Sequence, residues 1–431
     1  MIESKNLILG GGLTGLAAAQ RLLEKKEQYT LIDKSNTLGG LTRSVHIDDY
    51  TFDYTGHFLH LKEFNHPKEI SNSIDTNNWE LVYKKSCCFY KGQLIKAPFQ
   101  YNLFDLGEEK ASKFYNSFLN ASKEESEDSS LEDYFVNFFG QDISNAFLIP
   151  YNEKLLGIDL KKLGTKGLNR FFPHPNQKLI HEGAFSQKTN DESYNSKFWY
   201  PKRNGIEELV KALSTNVNHH KGKVTSIDID NKIAYTEENE YSYENIISSI
   251  PLPELAMISN SKNEKTQKIL DQYKKLHSSA TLGINIGFKG KLHNDLKDLH
   301  WLYFSERKYI FHRIGFYSNF NKTLAPTNNS SIYIEVGLDN NQVDDVIISE
   351  TIEKVLTQIE QLGYFEAKNI DVLHTTIMRN SYVRFDENWE HVVRSIRAEL
   401  KAYNILSTGR YGRWDYTSME DSILDGFNQR F

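Results

Sequence analysis

The first sixty residues alternate between short apolar runs and glycine-rich or polar connections. Apolar runs at 7–9 and 30–32 predict two strands, and the Ala- and Leu-rich stretch 16–23 predicts a helix between them. Gly10, Gly12 and Gly15 separate the first strand from the helix in the spacing Gly-x-Gly-x-x-Gly, and Asp33 ends the second strand. Such glycines allow a tight turn and close approach to a pyrophosphate, and the acid accepts a ribose hydroxyl. The pattern predicts a dinucleotide-binding βαβ unit.

The remainder of the chain changes its periodicity several times. Residues 86–93 predict a hairpin, and 107–163 is mostly helical, with Ser130 as a helix cap and apolar faces around Phe114 and Phe135. Residues 206–213 predict a further helix, and 224–229, 232–236 and 246–249 predict strands that rejoin the first domain. Alternating apolar residues at 280–287 and 333–337 predict strands of a second sheet.

Composition excludes several classes of protein. A net charge of -6 over 431 residues does not suggest a nucleic-acid partner. No apolar run approaches the roughly 18 residues of a membrane span, and the first strand leaves no room for a signal peptide. Cys87 and Cys88 are the only cysteines, and adjacent cysteines rarely form a relaxed bridge. We therefore expect a cytoplasmic protein, with one of the two cysteines buried in a strand. The residues give no metal-ligand spacing and do not indicate the oligomeric state.

A second glycine-rich loop follows Asp33 and distinguishes flavin from nicotinamide binding. It contains Gly39, Gly40 and Arg43, and Gly56-His57 comes shortly after it. Paired glycines allow close backbone approach, and an arginine can bind phosphate in a bidentate manner. These motifs resemble the FAD-binding superfamily of amine oxidases, protoporphyrinogen oxidases and UDP-galactopyranose mutases. In that superfamily the loop runs under the FAD diphosphate, and the Gly-His pair approaches the isoalloxazine ring.

Four further segments resemble the mutases of this superfamily, in the same order along the chain. They are residues 99–102 (Phe-Gln-Tyr-Asn), 147–154 (Phe-Leu-Ile-Pro-Tyr-Asn-Glu-Lys), 301–304 followed by Arg313, and 409–416 (Gly-Arg-Tyr-Gly-Arg-Trp-Asp-Tyr). Two positions depart from the family pattern. Thr55 stands where a second glycine is usual before Gly-His, and Leu156 stands where a tryptophan often contacts the substrate. The nucleotide end of the pocket therefore matches least well, and the sugar nucleotide need not be UDP-galactose.

The resemblance implies a fold and a reaction. The fold would be α/β, with a Rossmann-like FAD-binding domain, an inserted helical domain and an antiparallel-sheet substrate domain. The FAD-binding domain would comprise 1–85, 201–260 and 396–431, the helical insertion 86–200, and the substrate domain 261–395. The reaction would interconvert pyranose and furanose forms of a nucleotide sugar, with N5 of reduced FAD as the nucleophile on the anomeric carbon. NADPH or a similar compound would reduce the flavin.

The resemblance also assigns residues. Arg313 and Arg410 would hold the diphosphate of the substrate, and His57 would lie near the flavin and influence N5. The predicted substrate contacts are Asn152, Arg170, Asn195, Tyr303, Arg313, Tyr382, Arg410 and Tyr416. The predicted FAD contacts are Gly10, Gly12, Gly15, Asp33, Lys34, Gly39, Gly40, Leu41, Thr42, Arg43, Gly56, His57, Val224, Asp421 and Ser422.

Two alternatives remain open at the level of sequence. The first is an oxidoreductase of the amine oxidase or protoporphyrinogen oxidase type, against which the pair Arg313 and Arg410 argues because such substrates need no diphosphate clamp. The second is a non-enzymatic flavoprotein, against which the number of substrate-side motifs argues. Several tyrosine assignments compete with simple packing, because the chain has 24 tyrosines. Arg313 could instead form a salt bridge from its strand, and His57 could be a structural loop histidine.

Overall fold

The computed structural model describes residues 1–61, 77–124, 126, 129–165, 174–186 and 196–429. Its strands are β1 (Ile2–Leu9), β2 (Tyr29–Asp33), β3 (Ser44–Ile47), β4 (Tyr50–Asp53), β5 (Trp79–Tyr83), β6 (Ser86–Tyr90), β7 (Gln93–Lys96), β8 (Lys197–Pro201), β9 (His219–Lys221), β10 (Ser226–Asp228), β11 (Ile233–Tyr235), β12 (Glu240–Ser248), β13 (Ser259–Asn260), β14 (Ser278–Phe288), β15 (Trp301–Phe304), β16 (Arg313–Phe316), β17 (Ser330–Asp339), β18 (Ile370–Val383) and β19 (Ile405–Ser407). Its longer helices are α1 (Leu13–Glu24), α2 (Glu108–Leu119), α3 (Leu131–Phe139), α4 (Ile149–Leu156), α5 (Gln177–Phe185), α6 (Glu207–Leu213), α7 (Leu252–Ile258), α8 (Glu264–Leu270), α9 (Asp345–Gln361), α10 (Trp389–Ala402) and α11 (Met419–Phe427).

The first sheet contains the predicted βαβ unit at its centre. Its strand order is β13-β10-β11-β12-β1-β2-β9, and β19 pairs with the end of β12. Strand β1 runs parallel to both β2 and β12, with α1 as the crossover between β1 and β2. Leu7, Ile8 and Leu9 are buried because this central strand is covered on both faces. The α/β fold class predicted from the sequence is therefore confirmed.

The second sheet has the order β18-β14-β17-β16-β15-β6-β7 and is antiparallel except where β15 meets β6. Alternation along the strands separates its two faces. One face carries Ile284, Ile314 and Ile334, which pack in one hydrophobic cluster with Val355 and Ile359 of α9. The opposite face carries polar residues and glycines. This second face is the one that lines the candidate site.

The register of the second sheet brings distant residues into one row. Tyr303 pairs with Arg313, Arg313 pairs with Glu335, and Glu335 pairs with Gly283 on the next strand. Residues that pair directly in this way point to the same side of the sheet. The row therefore aligns two residues assigned to the substrate, Tyr303 and Arg313, beside a glutamate that the sequence did not single out.

The helical part packs around aromatic residues, as its periodicity predicts. Phe114 of α2 and Phe135 of α3 are buried in one cluster with Phe99 and Phe147. Ser130 caps α3 in a reciprocal capping box with Asp133, which confirms the predicted helix start. Within the described residues, no helix has the length and apolar character that crossing a bilayer requires.

Strand bounds differ from the prediction in the first sheet. Strand β12 begins at Glu240, six residues before the predicted apolar run, and β10 and β11 are each three residues long. The first half of β12 lies between β11 and β1, and exposed Glu240 alternates there with buried Tyr241. The polar residues of this half interrupt the apolar run from which the strand was predicted.

The last helix of the described chain packs against the helix of the βαβ unit. Helix α11 packs on α1, where Thr14 Oγ1 donates to the Ser422 carbonyl at 2.8 Å. A side chain at Gly426 would collide with the Thr14 carbonyl, so a glycine is needed for this close contact. The N-terminus of α11 therefore lies next to the N-terminus of α1.

Candidate active site

Two glycine-rich loops face each other at the carboxyl end of β1. A side chain at Gly15 would collide with the Gly10 carbonyl, and Gly10 itself has a φ of +94°. A Cβ at Gly40 would lie 3.2 Å from the Gly12 Cα, whereas a Cβ at Gly12 would have no atom within 4 Å. Gly12 also begins α1 without a side-chain cap, which leaves the first N–H groups available to an anion. This cradle fits a dinucleotide diphosphate.

Asp33 and the second loop are held together by hydrogen bonds. Gly11 N–H and Ser35 N–H each donate to a different oxygen of the Asp33 carboxylate, both at 2.7 Å. A carboxylate oxygen can accept more than one hydrogen bond, so Asp33 retains capacity for a ribose hydroxyl. Arg43 turns inward, because its Nε donates to the Gly40 carbonyl at 2.8 Å and its Nη1 donates to Thr37 Oγ1 at 2.9 Å. Arg43 therefore stabilises its own loop through these hydrogen bonds. The predicted contact between its guanidinium and a phosphate stays a prediction.

Other predicted cofactor residues lie around this cradle in different ways. Thr42 Oγ1 donates to the Gly39 carbonyl at 2.7 Å, and Lys34 is exposed while Leu41 is half-buried. Val224 is half-buried and packs against the core cluster of the first sheet. These positions stay predictions as cofactor contacts.

Asp421 and Ser422 use their side chains within α11. The Asp421 carboxylate accepts from Ser418 N–H and Oγ at 2.9 and 2.8 Å, and Ser422 Oγ donates to the Ser418 carbonyl at 2.9 Å. At the N-terminus of α11, a ligand would meet backbone N–H groups and the helix dipole. A cofactor role for these two side chains stays a prediction, and the capping role is what the structure describes.

His57 follows Gly56, which lies against the Tyr333 ring of the second sheet. Burial is the main cause that lowers the pKa of His57 to about 4, and Arg410 and Arg313 lower it further, against an opposing effect of Glu335. The Nδ1 atom is buried and makes no hydrogen bond. His57 is therefore a neutral imidazole at physiological pH, close to both arginines assigned to the substrate.

Arg313 is paired with a buried carboxylate. Its Nε and Nη2 donate to the two oxygens of Glu335, the second at 2.8 Å, in a bidentate arrangement. The Glu335 side chain is 3% exposed and that of Arg313 18%. Despite burial, Arg313 holds the pKa of Glu335 well below its usual range. The charge of Arg313 is thus largely balanced within the protein.

Arg410 has a different environment. Its Nη1 and Nη2 donate to the carbonyls of Thr417 and Ser381 at 2.8 and 2.7 Å. Its guanidinium lies 4.5 Å from the centroid of the Tyr416 ring. Among the acidic side chains that the structure describes, none lies within 4.0 Å of this guanidinium. Arg410 is held by two carbonyls, and no carboxylate among the described residues balances its charge nearby.

Three predicted tyrosines surround these arginines. Tyr382 packs edge to face against Tyr416 at 5.3 Å, and both Arg313 and Arg410 influence the pKa of Tyr382, which burial raises. Tyr303 accepts a hydrogen bond from the Trp301 indole and packs at 5.6 Å against Tyr151. The structure therefore brings together His57, Tyr303, Arg313, Tyr382, Arg410 and Tyr416.

Of the other predicted substrate residues, one donates its side-chain hydrogen bond to a backbone carbonyl and two are not described. Asn152 is buried, and its Nδ2 donates to the Leu148 carbonyl at 2.7 Å within its own helix. Arg170 and Asn195 lie outside the described residues. Leu156, the position that departs from the family pattern, lines a small apolar cleft with Leu131, Leu163, Tyr382 and Tyr416.

Three residues of this cluster were missed at the sequence level. They are Tyr151 on α4 and Tyr333 and Glu335 on β17. The signal for Glu335 was present, because a carboxylate among the apolar residues of a buried strand needs a partner. Tyr151 and Tyr333 resembled ordinary packing residues, and their proximity to Arg313 arises only from the fold.

Comparison with known proteins decides the family. The family model described as flavin-containing amine oxidoreductase matches residues 13–428. The chain belongs to this family. Among solved structures, this flavin-containing amine oxidoreductase resembles a reduced UDP-galactopyranose mutase with a TM-score of 0.90 and 24% identity, over 98% of this chain and 94% of the other. It also resembles a putative protoporphyrinogen oxidase from Exiguobacterium sp. 255-15 with a TM-score of 0.71 and 15% identity, over 99% and 98% of the two chains. Identities this low establish the fold alone.

Sequence relatives match only in part. A 1-hydroxycarotenoid 3,4-desaturase from Flavobacterium sp. (strain P99-3) is 32% identical over 100 residues, which cover 22% of this chain and 20% of the desaturase. A 4,4'-diapophytoene desaturase from Staphylococcus aureus (strain COL) is 39% identical over 49 residues, 11% of this chain and 10% of the relative. Because these matches span a fifth of the relatives or less, they do not transfer an activity.

The family assignment implies a flavin, and the residues present fit FAD. The cradle of Gly10, Gly12 and Gly40 would hold the diphosphate, and Asp33 would hold the ribose. The buried Nδ1 of His57 is a polar atom of the candidate site that still lacks a hydrogen-bond partner. The protein is therefore a flavin-dependent enzyme of the amine oxidase superfamily.

Proposed function

We propose that this flavoprotein is a nucleotide-sugar mutase that interconverts the pyranose and furanose rings of a sugar linked to a nucleoside diphosphate. The observation that carries the proposal is the pair of arginines from different parts of the chain, which meet around His57 among tyrosine hydroxyls. A partly buried cationic cluster of this kind suits a diphosphate that must leave and return beside the cofactor. Reduced FAD would supply the nucleophilic nitrogen, with NADPH or a similar compound as reductant.

Arg410 and Arg313 would have unequal roles in binding the diphosphate. Arg410 is held by two carbonyls and is not balanced by a nearby described carboxylate, so its charge is available to an anion. Arg313 is balanced by Glu335 and keeps donors that the glutamate does not use. We therefore infer that Arg410 binds the anion most strongly, while Arg313 orients it.

The tyrosines and His57 would complete the pocket. Burial raises the pKa of Tyr382, so its hydroxyl stays protonated and can donate to a phosphate oxygen. Neutral His57 adds no positive charge near the flavin that could compete with the arginines for the diphosphate. The surrounding rings of Tyr151, Tyr303 and Tyr416 exclude water from the reacting groups.

An oxidoreductase is the second candidate, and the partial similarity to desaturases favours it. Such an enzyme would bind an apolar or amine substrate and transfer electrons to an acceptor. A partly buried cluster of Arg313, Arg410 and their tyrosines would be an unfavourable lining for an apolar substrate. The mutase therefore explains more of the site.

The experiment compares the oxidised and the dithionite-reduced protein in a flavin-monitored titration with a panel of nucleoside diphosphates and their sugar derivatives that includes UDP and UDP-galactopyranose. The mutase predicts saturable spectral changes with at least one nucleoside diphosphate and its sugar derivative. Failure of every nucleoside diphosphate to perturb the flavin, in either redox state, would contradict the proposal. A carotenoid that is bleached or desaturated by the oxidised protein would support the second candidate instead.

A further inference from the structure

The Tyr333 ring lies in a slot made by two glycines from separate elements. Tyr333 on β17 pairs with Gly315 on β16, and a side chain at Gly315 would collide with the Tyr333 ring. The ring extends across this strand until its hydroxyl meets Gly56, where a Cβ would collide with it. Neither glycine has a positive φ. The restriction comes from the Tyr333 ring at Gly315, and from the Tyr333 hydroxyl together with the Phe58 ring at Gly56, and not from backbone conformation.

The hydroxyl at the end of this ring is buried without a hydrogen bond. Tyr333 is 0% exposed, and its hydroxyl is among the buried polar atoms that lack a partner. Burial raises the pKa of Tyr333, despite the opposing effect of Arg313, so the hydroxyl remains a proton donor at physiological pH. A phenylalanine would fill the same slot without an unpaired hydroxyl.

The neighbouring Tyr317 is also buried, but its hydroxyl forms hydrogen bonds within the protein. The rings of Tyr317 and Tyr333 lie 5.0 Å apart. The Tyr317 hydroxyl donates to the Asp53 carbonyl at 2.9 Å and lies 3.2 Å from Asn285 Oδ1. Both tyrosines are fully buried, and they differ in whether the protein itself satisfies the hydroxyl. Tyr317 has a structural role, which leaves Tyr333 as the hydroxyl to be explained.

We propose that Tyr333 is a cofactor-binding residue whose hydroxyl donates a hydrogen bond to the bound flavin. The inference rests on the proposed flavin site, because the hydroxyl lies against Gly56, directly before His57. A second buried polar atom without a partner, His57 Nδ1, lies on the residue next to Gly56. Two such atoms next to one glycine mark a place that can receive the polar edge of a ligand.

The test compares Tyr333→Phe with Tyr317→Phe as a matched control. The measurements are urea unfolding of the apoprotein, the dissociation constant for FAD, and the visible spectrum and reduction potential of the bound flavin. Tyr333→Phe should leave the unfolding midpoint of the apoprotein unchanged or higher, weaken FAD binding roughly threefold to tenfold and shift the flavin spectrum. Tyr317→Phe should lower the midpoint and leave the flavin spectrum as in the wild type.

The opposite results would overturn the assignment. Wild-type FAD affinity, spectrum and potential in Tyr333→Phe would show that the hydroxyl does not meet the flavin. A change confined to titration with UDP-galactopyranose would move Tyr333 to the substrate. Either result would leave the mutase proposal standing, whereas a wild-type protein that takes up no FAD would remove the basis for both.

Discussion

The buried pair of Arg313 and Glu335 provides the sharpest quantitative prediction. Three variants test it: Arg313→Met, Glu335→Gln, and the two changes combined. Because Glu335 is 3% exposed and its bidentate partner 18% exposed, losing the arginine alone leaves a buried carboxylate without its counter-charge. Removing one partner of such a pair costs about 3–5 kcal/mol of unfolding free energy. Removing both charges eliminates the uncompensated ion, so we expect the double variant to lose about 2 kcal/mol or less.

The assay is urea unfolding of the apoprotein at pH 7, analysed as a double-mutant cycle. Native packing is preserved because methionine has a similar reach to the arginine stem and glutamine is isosteric with glutamate. We expect a coupling energy of about 4 kcal/mol or more, with Arg313→Met the least stable of the three. The same variant should recover stability at low pH, because a carboxyl that has lost its cation can be protonated there. Additive effects of the two single substitutions would refute the reasoning.

Three further predictions concern the cation, the cofactor cradle and pH. Arg410→Ala should weaken binding of UDP to the reduced protein by roughly tenfold to a hundredfold, with FAD content unchanged. Arg410→Lys should restore little of this affinity, because an ammonium lacks the planar fork of a guanidinium. Flavin-monitored titrations that give equal affinities for the variants and the wild type would contradict this prediction. Gly40→Val should abolish FAD uptake, because its side chain would enter the gap to the Gly12 backbone, whereas Gly92→Val, whose side chain meets no atom within 4 Å, should bind FAD as the wild type does. Burial lowers the pKa of His300 to about 4 from an ordinary 6.5, so the unfolded chain takes up this proton first and unfolding free energy falls as pH drops from about 6.5 to 4. His300→Gln should flatten that fall by up to roughly 1.4 kcal/mol per pH unit in urea titrations, and an unchanged slope would exclude the histidine as its source.

The parts of this protein that were predictable are those encoded locally. The spacing of Gly10, Gly12 and Gly15 between an apolar run and a helix specifies a strand-turn-helix, and each glycine meets a nearby steric constraint or leaves space for a ligand. Ser130 and Asp133 are similarly local, since a capping box involves residues three positions apart. The α/β class and the family resemblance follow from such motifs.

Pairings between distant strands could not be predicted in the same way. The pair Arg313 and Glu335 depends on the register of β16 against β17, which a single sequence does not specify. The same register places Tyr333 beside Gly315, and Gly56 reaches it from another part of the chain. The first half of β12 was missing from the prediction because its charged and polar positions resemble a loop. The strand register therefore determines that Glu335 balances the charge of Arg313, and the sequence alone did not predict this.

Product analysis with the reduced protein tests the central claim most directly. Dithionite-reduced protein and oxidised protein are incubated without oxygen with a panel of nucleotide-linked hexopyranoses that begins with UDP-galactopyranose. Products are separated by chromatography and identified by mass and NMR spectroscopy, while consumed reductant is counted. A mutase predicts a furanose product of unchanged mass, formed by the reduced protein alone, with far less than one reductant used per product. A product two hydrogens lighter, or one equivalent of oxidant or reductant consumed per turnover, would contradict the account.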